Sequence, residues 1–355
     1  MRKLSILLLF AGIFSVVLLL AFPQATLTIA RWYERSVANL ELKIARIGKY
    51  ELAYLERISS VPGAETVIML HGFPGDKDHW IRFSNYLDDD YHLIAVDLLG
   101  FGDSSRPISI NYCIPEQAEN LRKFVESLEL RNFHLIGNSM GGAVSAYYTA
   151  KYPEQVLTLG LVNTLGITST VKTAFELTWT LGNNILLNST VDEFEQVVDL
   201  VFHNEPVLPP GLKSYLAQEG VKHNAFYQKV SDDIHKGEMA LEPILPTLQQ
   251  PLFVLWGGKD QVFDVSKVGI IKGMVENVDS AVLQDVGHLP MLERPDQAAG
   301  LYMKFLRRVV TTRPVQHIVG RRAPSESQST DCIPDSLWSA GSWRWDNKPP
   351  HTPLF

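Results

Sequence analysis

Gly137-Asn138-Ser139-Met140-Gly141-Gly142 sets a serine between glycines where an apolar run, Phe133 to Ile136, gives way to a stretch rich in alanine and tyrosine. That is the signature of a nucleophile elbow. A serine on a sharp strand-to-helix turn is pushed out of the sheet with its hydroxyl exposed. Its flanking positions must be small because strand and helix backbones pass closely there.

A serine at such a turn needs a base to take its proton and an acid to orient the base, and after an elbow the chain order is nucleophile, acid, histidine. Two downstream loops supply them. The apolar run Phe253-Val254-Leu255-Trp256 ends in Gly257-Gly258-Lys259-Asp260-Gln261, which places Asp260 at the carboxyl end of a strand, where sites in open parallel sheets form. Past Val282-Leu283-Gln284-Asp285-Val286 comes Gly287-His288-Leu289-Pro290, which makes His288 the expected base. Asp264 and Asp285 compete with Asp260 as the acid, because loop aspartates are commonly turn formers. The turn His71-Gly72-Phe73 is expected to aim the backbone N–H of Phe73 at the same point as the N–H of Met140, two donors for an oxyanion. His71 itself reads as a structural hydrogen-bonding residue, and Asp97 and Asp103 as turn and packing residues.

Around these loops, apolar runs closing on turn residues alternate with helix-patterned stretches, the pattern of a mostly parallel sheet covered on both faces. Strands are expected at Thr66–Leu70, His92–Val96, Phe133–Ile136, Val156–Val162, Leu252–Trp256 and Ala281–Leu283, with an antiparallel edge at Lys49–Arg57. Leu121, Phe124, Val125 and Leu128 form one stripe of a helix from about Glu116 to Leu128. Between Val162 and Leu252 no strand signal occurs, so the insertion reads as a helical cap. Within it, Val191, Phe194, Val197, Val198 and Val201 share a helical face, expected to pack on the main body rather than to meet lipid.

The chain has 355 residues, 46% of them hydrophobic, enough for an enzyme-sized core. Its 32 basic and 39 acidic residues form no basic stripe, so nucleic acid is not an expected partner. Two cysteines, Cys113 and Cys332, make no disulfide framework and no zinc spacing. Residues 4–22 are 19 uncharged, mostly apolar positions behind Arg2 and Lys3. At about 1.5 Å per residue they nearly cross a hydrocarbon core of about 30 Å, and Phe22-Pro23-Gln24-Ala25 is a poor match to a small-x-small cleavage site. The expectation is a single-pass N-terminal membrane anchor with the catalytic body on the non-cytoplasmic side; the alternative is secretion after signal cleavage. The expected division is an anchor or uncleaved signal at 1–25, a linker or juxtamembrane helix at 26–48, a core at 49–165 and 248–311, a cap at 166–247 and a disordered tail at 312–355. The tail is rich in Pro and Ser and carries Trp338, Trp343 and Trp345 without periodicity.

The strings His71-Gly72-Phe73, Asp97-Leu98-Leu99-Gly100-Phe101-Gly102-Asp103-Ser104-Ser105, Gly137 to Gly142, Trp256 to Gln261 and Asp285 to Met291 resemble the α/β-hydrolase family. Within it they look closest to bacterial ester lipases and membrane-anchored monoacylglycerol lipases. The likeness covers about Lys49 to Val309. It implies the α/β-hydrolase fold with a helical cap, and hydrolysis of acylglycerols or other carboxylic esters through Ser139, Asp260 and His288. It also implies no metal or cofactor, and a small lipid ester as substrate; oligomeric state is left open. Carbon–carbon bond hydrolases of aromatic ring-cleavage pathways share the elbow string, but they tend to carry a cap arginine and a tryptophan after the histidine. Here Gly166 to Gln250 lacks Arg and Leu289 follows His288. Dehalogenases and epoxide hydrolases use an aspartate nucleophile, which Ser139 disfavours. From another class, a membrane-tethered binding protein on the same scaffold stays open.

Overall fold

The computed structural model describes residues 22–237 and 239–312. Most of the expected anchor, 4–22, and the tail beyond residue 312 lie outside the described residues. Among the described residues no helix is long and apolar enough to cross a membrane.

Eight strands form one sheet in the order β1-β2-β4-β3-β5-β6-β7-β8. They are β1 (Glu41–Ile47), β2 (Tyr50–Arg57), β3 (Thr66–Leu70), β4 (His92–Val96), β5 (Phe133–Asn138), β6 (Val156–Val162), β7 (Leu252–Gly257) and β8 (Val278–Leu283). From β4 to β8 all pairings are parallel; β2 joins β4, and β1 joins β2, antiparallel. The central strands β5 and β7 are buried at every position, as expected where helices cover both faces.

The helices are α1 (Pro23–Val37), α2 (Ile81–Ser84), α3 (Ile114–Ser127), α4 (Met140–Lys151), α5 (Ala174–Thr180), α6 (Glu193–Val201), α7 (Pro210–Lys236), α8 (Lys267–Met274), α9 (Pro290–Glu293) and α10 (Pro295–Thr312). Three of them, α5 to α7, occupy the stretch between β6 and β7, which contains no strand among the described residues. A buried Lys267 fastens this insert to the sheet domain by donating to Glu176 at 2.9 Å and to the Ile167 carbonyl at 2.8 Å.

Two expectations need correction. Lys49–Arg57 is antiparallel but is not the sheet edge, because β1 pairs outside it from Glu41↔Glu56 to Ile47↔Tyr50. The burial of β1 alternates as a strand's does, Ala45 and Ile47 inward and Leu42, Ile44 and Arg46 outward, but Glu41 and Lys43 share the inward face and two apolar residues the outward one, so no clean apolar alternation marks it in the sequence. Segment 26–48, expected as linker or juxtamembrane helix, is integral to the fold. It holds most of α1, which packs against α7, and all of β1.

Candidate active site

The parallel register brings the carboxyl ends of the central strands level, with Leu70 opposite Gly137 and Asn138 opposite Val162. The loops that leave these ends therefore meet at one place. Ser139 stands between β5 and α4 with φ 54° and ψ −118°, a conformation that costs a non-glycine residue of order 1–3 kcal/mol. The surrounding chain holds it there: Ser139 N–H donates to Val162 O at 2.9 Å, and its carbonyl accepts from Gly142, Ala143 and Leu165.

Close approach explains the glycines. A Cβ on Gly137 would fall 2.2 Å from Gly141 O, and one on Gly141 would fall 2.5 Å from both Leu70 O and His71 O. Those atoms are backbone and cannot step aside, so Gly141→Ala should cost about 1–3 kcal/mol. It should lower the urea midpoint, whereas Gly269→Ala in α8, where a Cβ meets nothing within 4 Å, should leave it unchanged or raise it.

Asp260 follows β7 and His288 follows β8. Their side chains meet, His288 Nδ1 to Asp260 Oδ2 at 3.0 Å, with His288 only 3% exposed. The carboxylate is otherwise fully engaged. Oδ1 accepts from the N–H groups of Val262 (2.8 Å) and Phe263 (3.1 Å), and Oδ2 accepts from Asn163 Nδ2 at 2.6 Å. With Nδ1 of His288 committed to Asp260, Nε2 is the nitrogen left for a proton acceptor's role. The two rival aspartates are elsewhere: Asp264 Oδ1 caps Ser266 N–H at 2.9 Å, and Asp285 is exposed.

Two asparagines were not anticipated as site residues. Asn163, at φ 44° just past β6, bridges toward Asp260 and Gly287. Asn138 Nδ2 reaches both Val162 O (3.1 Å) and His288 O (3.2 Å), tying the elbow to the histidine loop. The insert holds the same loops: His288 N–H donates to Val201 O at the end of α6 (2.8 Å), and Thr173 donates to Val262 O beside Asp260 (2.8 Å).

The His71-Gly72-Phe73 turn passes so near the elbow that a Cβ on Gly72 would lie 2.9 Å from Ser139 Cβ. Neither Phe73 N–H nor Met140 N–H has an acceptor among the described residues, so both remain available beside Ser139. His71 is fully buried and serves the turn. Its ring contacts Gly72 O through Nδ1 (2.8 Å) and accepts Leu98 N–H at Nε2 (3.1 Å). Burial pushes its pKa down to about 4, so the ring is neutral and not a second base near neutral pH. Asp97 and Asp103 also serve structure, both bonding the buried Lys77 ammonium, at 2.8 and 2.7 Å.

Two cavities open at the site. A small one, about 20 Å³, is lined by Ser139, Phe73, Met140, Leu165, Phe175 and Phe263 among others. The larger, about 710 Å³, begins at His288, Asn138 and Phe73 and runs between α6, α7 and α1. Its walls are mostly apolar, and Phe194, Val197, Val198 and Val201 of α6 face into it. The apolar face of α6 thus lines the site itself.

A profile of the family described as alpha/beta hydrolase fold matches residues 65–205. Lipase 1 of Psychrobacter immobilis is 36% identical over 276 residues, covering 77% of this chain and 86% of the lipase. A monoacylglycerol lipase of Mus musculus is 31% identical over 305 residues, covering 82% of this chain and 90% of the relative. Among solved structures, a membrane phospholipase A described as a bacterial virulence factor superposes with a TM-score of 0.79. It has 35% identity and covers 88% of this chain and 100% of its own. With an eight-stranded sheet, a serine on a positive-φ turn and relatives matched over most of their length, the chain belongs to the α/β-hydrolase family.

Proposed function

We propose that this protein is a serine hydrolase that cleaves carboxylic esters of lipids, acylglycerols among them, through an acyl-enzyme on Ser139. One observation carries the reading: the His288–Asp260 pair is tied through Asn138 to the loop of an elbow serine, the Phe73 turn packs on the same elbow, and His288, Asn138 and Phe73 line one end of a cavity of about 710 Å³. In the proposed cycle Nε2 of His288 takes the Ser139 proton as Oγ attacks the ester carbonyl. The N–H groups of Phe73 and Met140 donate to the developing oxyanion. His288 returns the proton to the departing alcohol, and water then repeats the sequence to release the acid. Asp260 holds the imidazole in the tautomer with the proton on Nδ1.

The relatives, two lipases and a phospholipase by name, support a lipid ester as substrate. The cavity of about 710 Å³ lies within the range of small-molecule sites, and its apolar walls suit an acyl chain. In this reading the insert 166–247 is the cap whose α6 shapes the acyl channel, and residues 4–22 hold the enzyme at a membrane. The anchor rests on their apolar, uncharged sequence. Narrowing the channel tests the assignment. Val197→Trp should lower kcat/KM for p-nitrophenyl palmitate at least about tenfold while leaving p-nitrophenyl butyrate within about threefold. Equal losses on both esters would remove the acyl chain from this cavity.

A further inference from the structure

Helix α1 is amphipathic in the wrong sense for a helix facing water. Its three charged residues lie toward the body rather than on the outer face and are paired: Arg31 with Asp76 and Asp78 (2.7 and 3.1 Å), Arg35 with Asp78 (2.7 Å) and Glu34, at the surface, with Arg82 (2.7 Å). Phe22 just before it, and Ile29, Trp32, Tyr33 and Val37 within it, are 50–67% exposed, whereas the side chains of Arg31, Glu34 and Arg35 are 16–35% exposed. A surface helix in contact with water ordinarily shows the opposite arrangement.

We infer that the outer face of α1 lies on a lipid bilayer, in the headgroup and upper acyl region, and brings the mouth of the active-site cavity to that surface. Three features choose lipid as the occupant. The exposed stripe combines aliphatic residues with a tryptophan and a tyrosine, the side chains that settle where an apolar phase meets water. The chain entering α1 is the uncharged, apolar run 4–22, so the sequence that leads into the helix has the same preference. At 15 residues α1 is about 22 Å long, too short to cross a core of about 30 Å but suited to lying along it.

The position of α1 gives this contact a consequence. Leu27, Thr28 and Arg31 on its inner side line the same cavity that reaches His288. A lipid ester would then enter from the bilayer beside α1 without crossing water. This inference rests on the lipid-ester reading above.

The test uses the full chain reconstituted in phosphatidylcholine vesicles with and without brominated acyl chains. The fluorescence of Trp32, taken as wild type minus Trp32→Phe, should be quenched by the brominated lipid; an unquenched Trp32 overturns the inference. In parallel, Ile29→Glu/Trp32→Glu should lose at least about tenfold in kcat/KM on monoacylglycerol held in vesicles while keeping hydrolysis of dissolved p-nitrophenyl butyrate within about twofold. A matching loss on the dissolved ester would make the face structural. Unchanged vesicle kinetics with a lost dimer would make it a contact between copies; either result overturns the inference. If the wild type hydrolyses neither ester, the hydrolase reading fails and the quenching still decides the surface.

Discussion

Replacing Ser139 with alanine is expected to lower ester turnover by about six orders of magnitude, the scale seen when a triad loses its nucleophile. The fold should survive. Alanine keeps the Cβ, and the Ser139 bonds that shape the elbow run through its backbone N–H and carbonyl, which alanine retains. His288 and Asp260 would remain paired at 3.0 Å, but a base without a nucleophile supplies almost nothing, since the three groups act as a unit. Two measurements separate the readings. A fluorophosphonate probe should label the wild type and leave Ser139→Ala unlabelled, and p-nitrophenyl butyrate hydrolysis should vanish with it. If folded wild-type protein takes no label, the scaffold is a binding protein. If the variant keeps its rate, the nucleophile lies elsewhere.

The legibility of this site in the sequence followed from how each residue is held. Ser139 could be read because the elbow needs small neighbours, and Asp260 and His288 because each follows an apolar strand, β7 or β8, on a short loop. Strands β3, β4 and β6 have the boundaries their apolar runs predict, since a strand buried on both faces must be apolar throughout. Asn163 and Asn138 could not be read in the same way. An asparagine after a strand is an ordinary turn former, and Asn163 does adopt a positive φ of 44°. Only the folded chain shows that its amide donates to Asp260. A helix was legible as one reading of 26–48, but the packing of α1 on the body was not: it follows an apolar run that dominates the local signal, and its charges look like those of a solvated segment until their partners, Asp76, Asp78 and Arg82, are placed some 45 residues downstream.

Asp260→Asn is expected to lower kcat by about four orders of magnitude, while Asp264→Asn leaves it within about twofold. The asymmetry follows from what each carboxylate accepts. Asp260 takes four hydrogens: the Val262 and Phe263 N–H groups on Oδ1, and Asn163 Nδ2 and His288 Nδ1 on Oδ2. An asparagine has one accepting oxygen. If that oxygen faces Val262 and Phe263, the new NH₂ points at His288 and Asn163, and the imidazole must move its proton to Nε2 to receive a donor. Nε2 then cannot take the Ser139 proton. If the oxygen faces His288 instead, the NH₂ meets two backbone N–H groups in a buried site, and unpaired buried donors cost about 1–3 kcal/mol each. Either arrangement loses activity, the first through chemistry and the second through stability as well. Measuring the urea midpoint beside kcat distinguishes them. The Asp264 carboxylate accepts from the nearby Ser266 N–H, and an asparagine oxygen does that equally well. A large loss at Asp264 with little at Asp260 would transfer the orienting role to Asp264 and require the β7 loop to rearrange, because His288 now meets Asp260 directly.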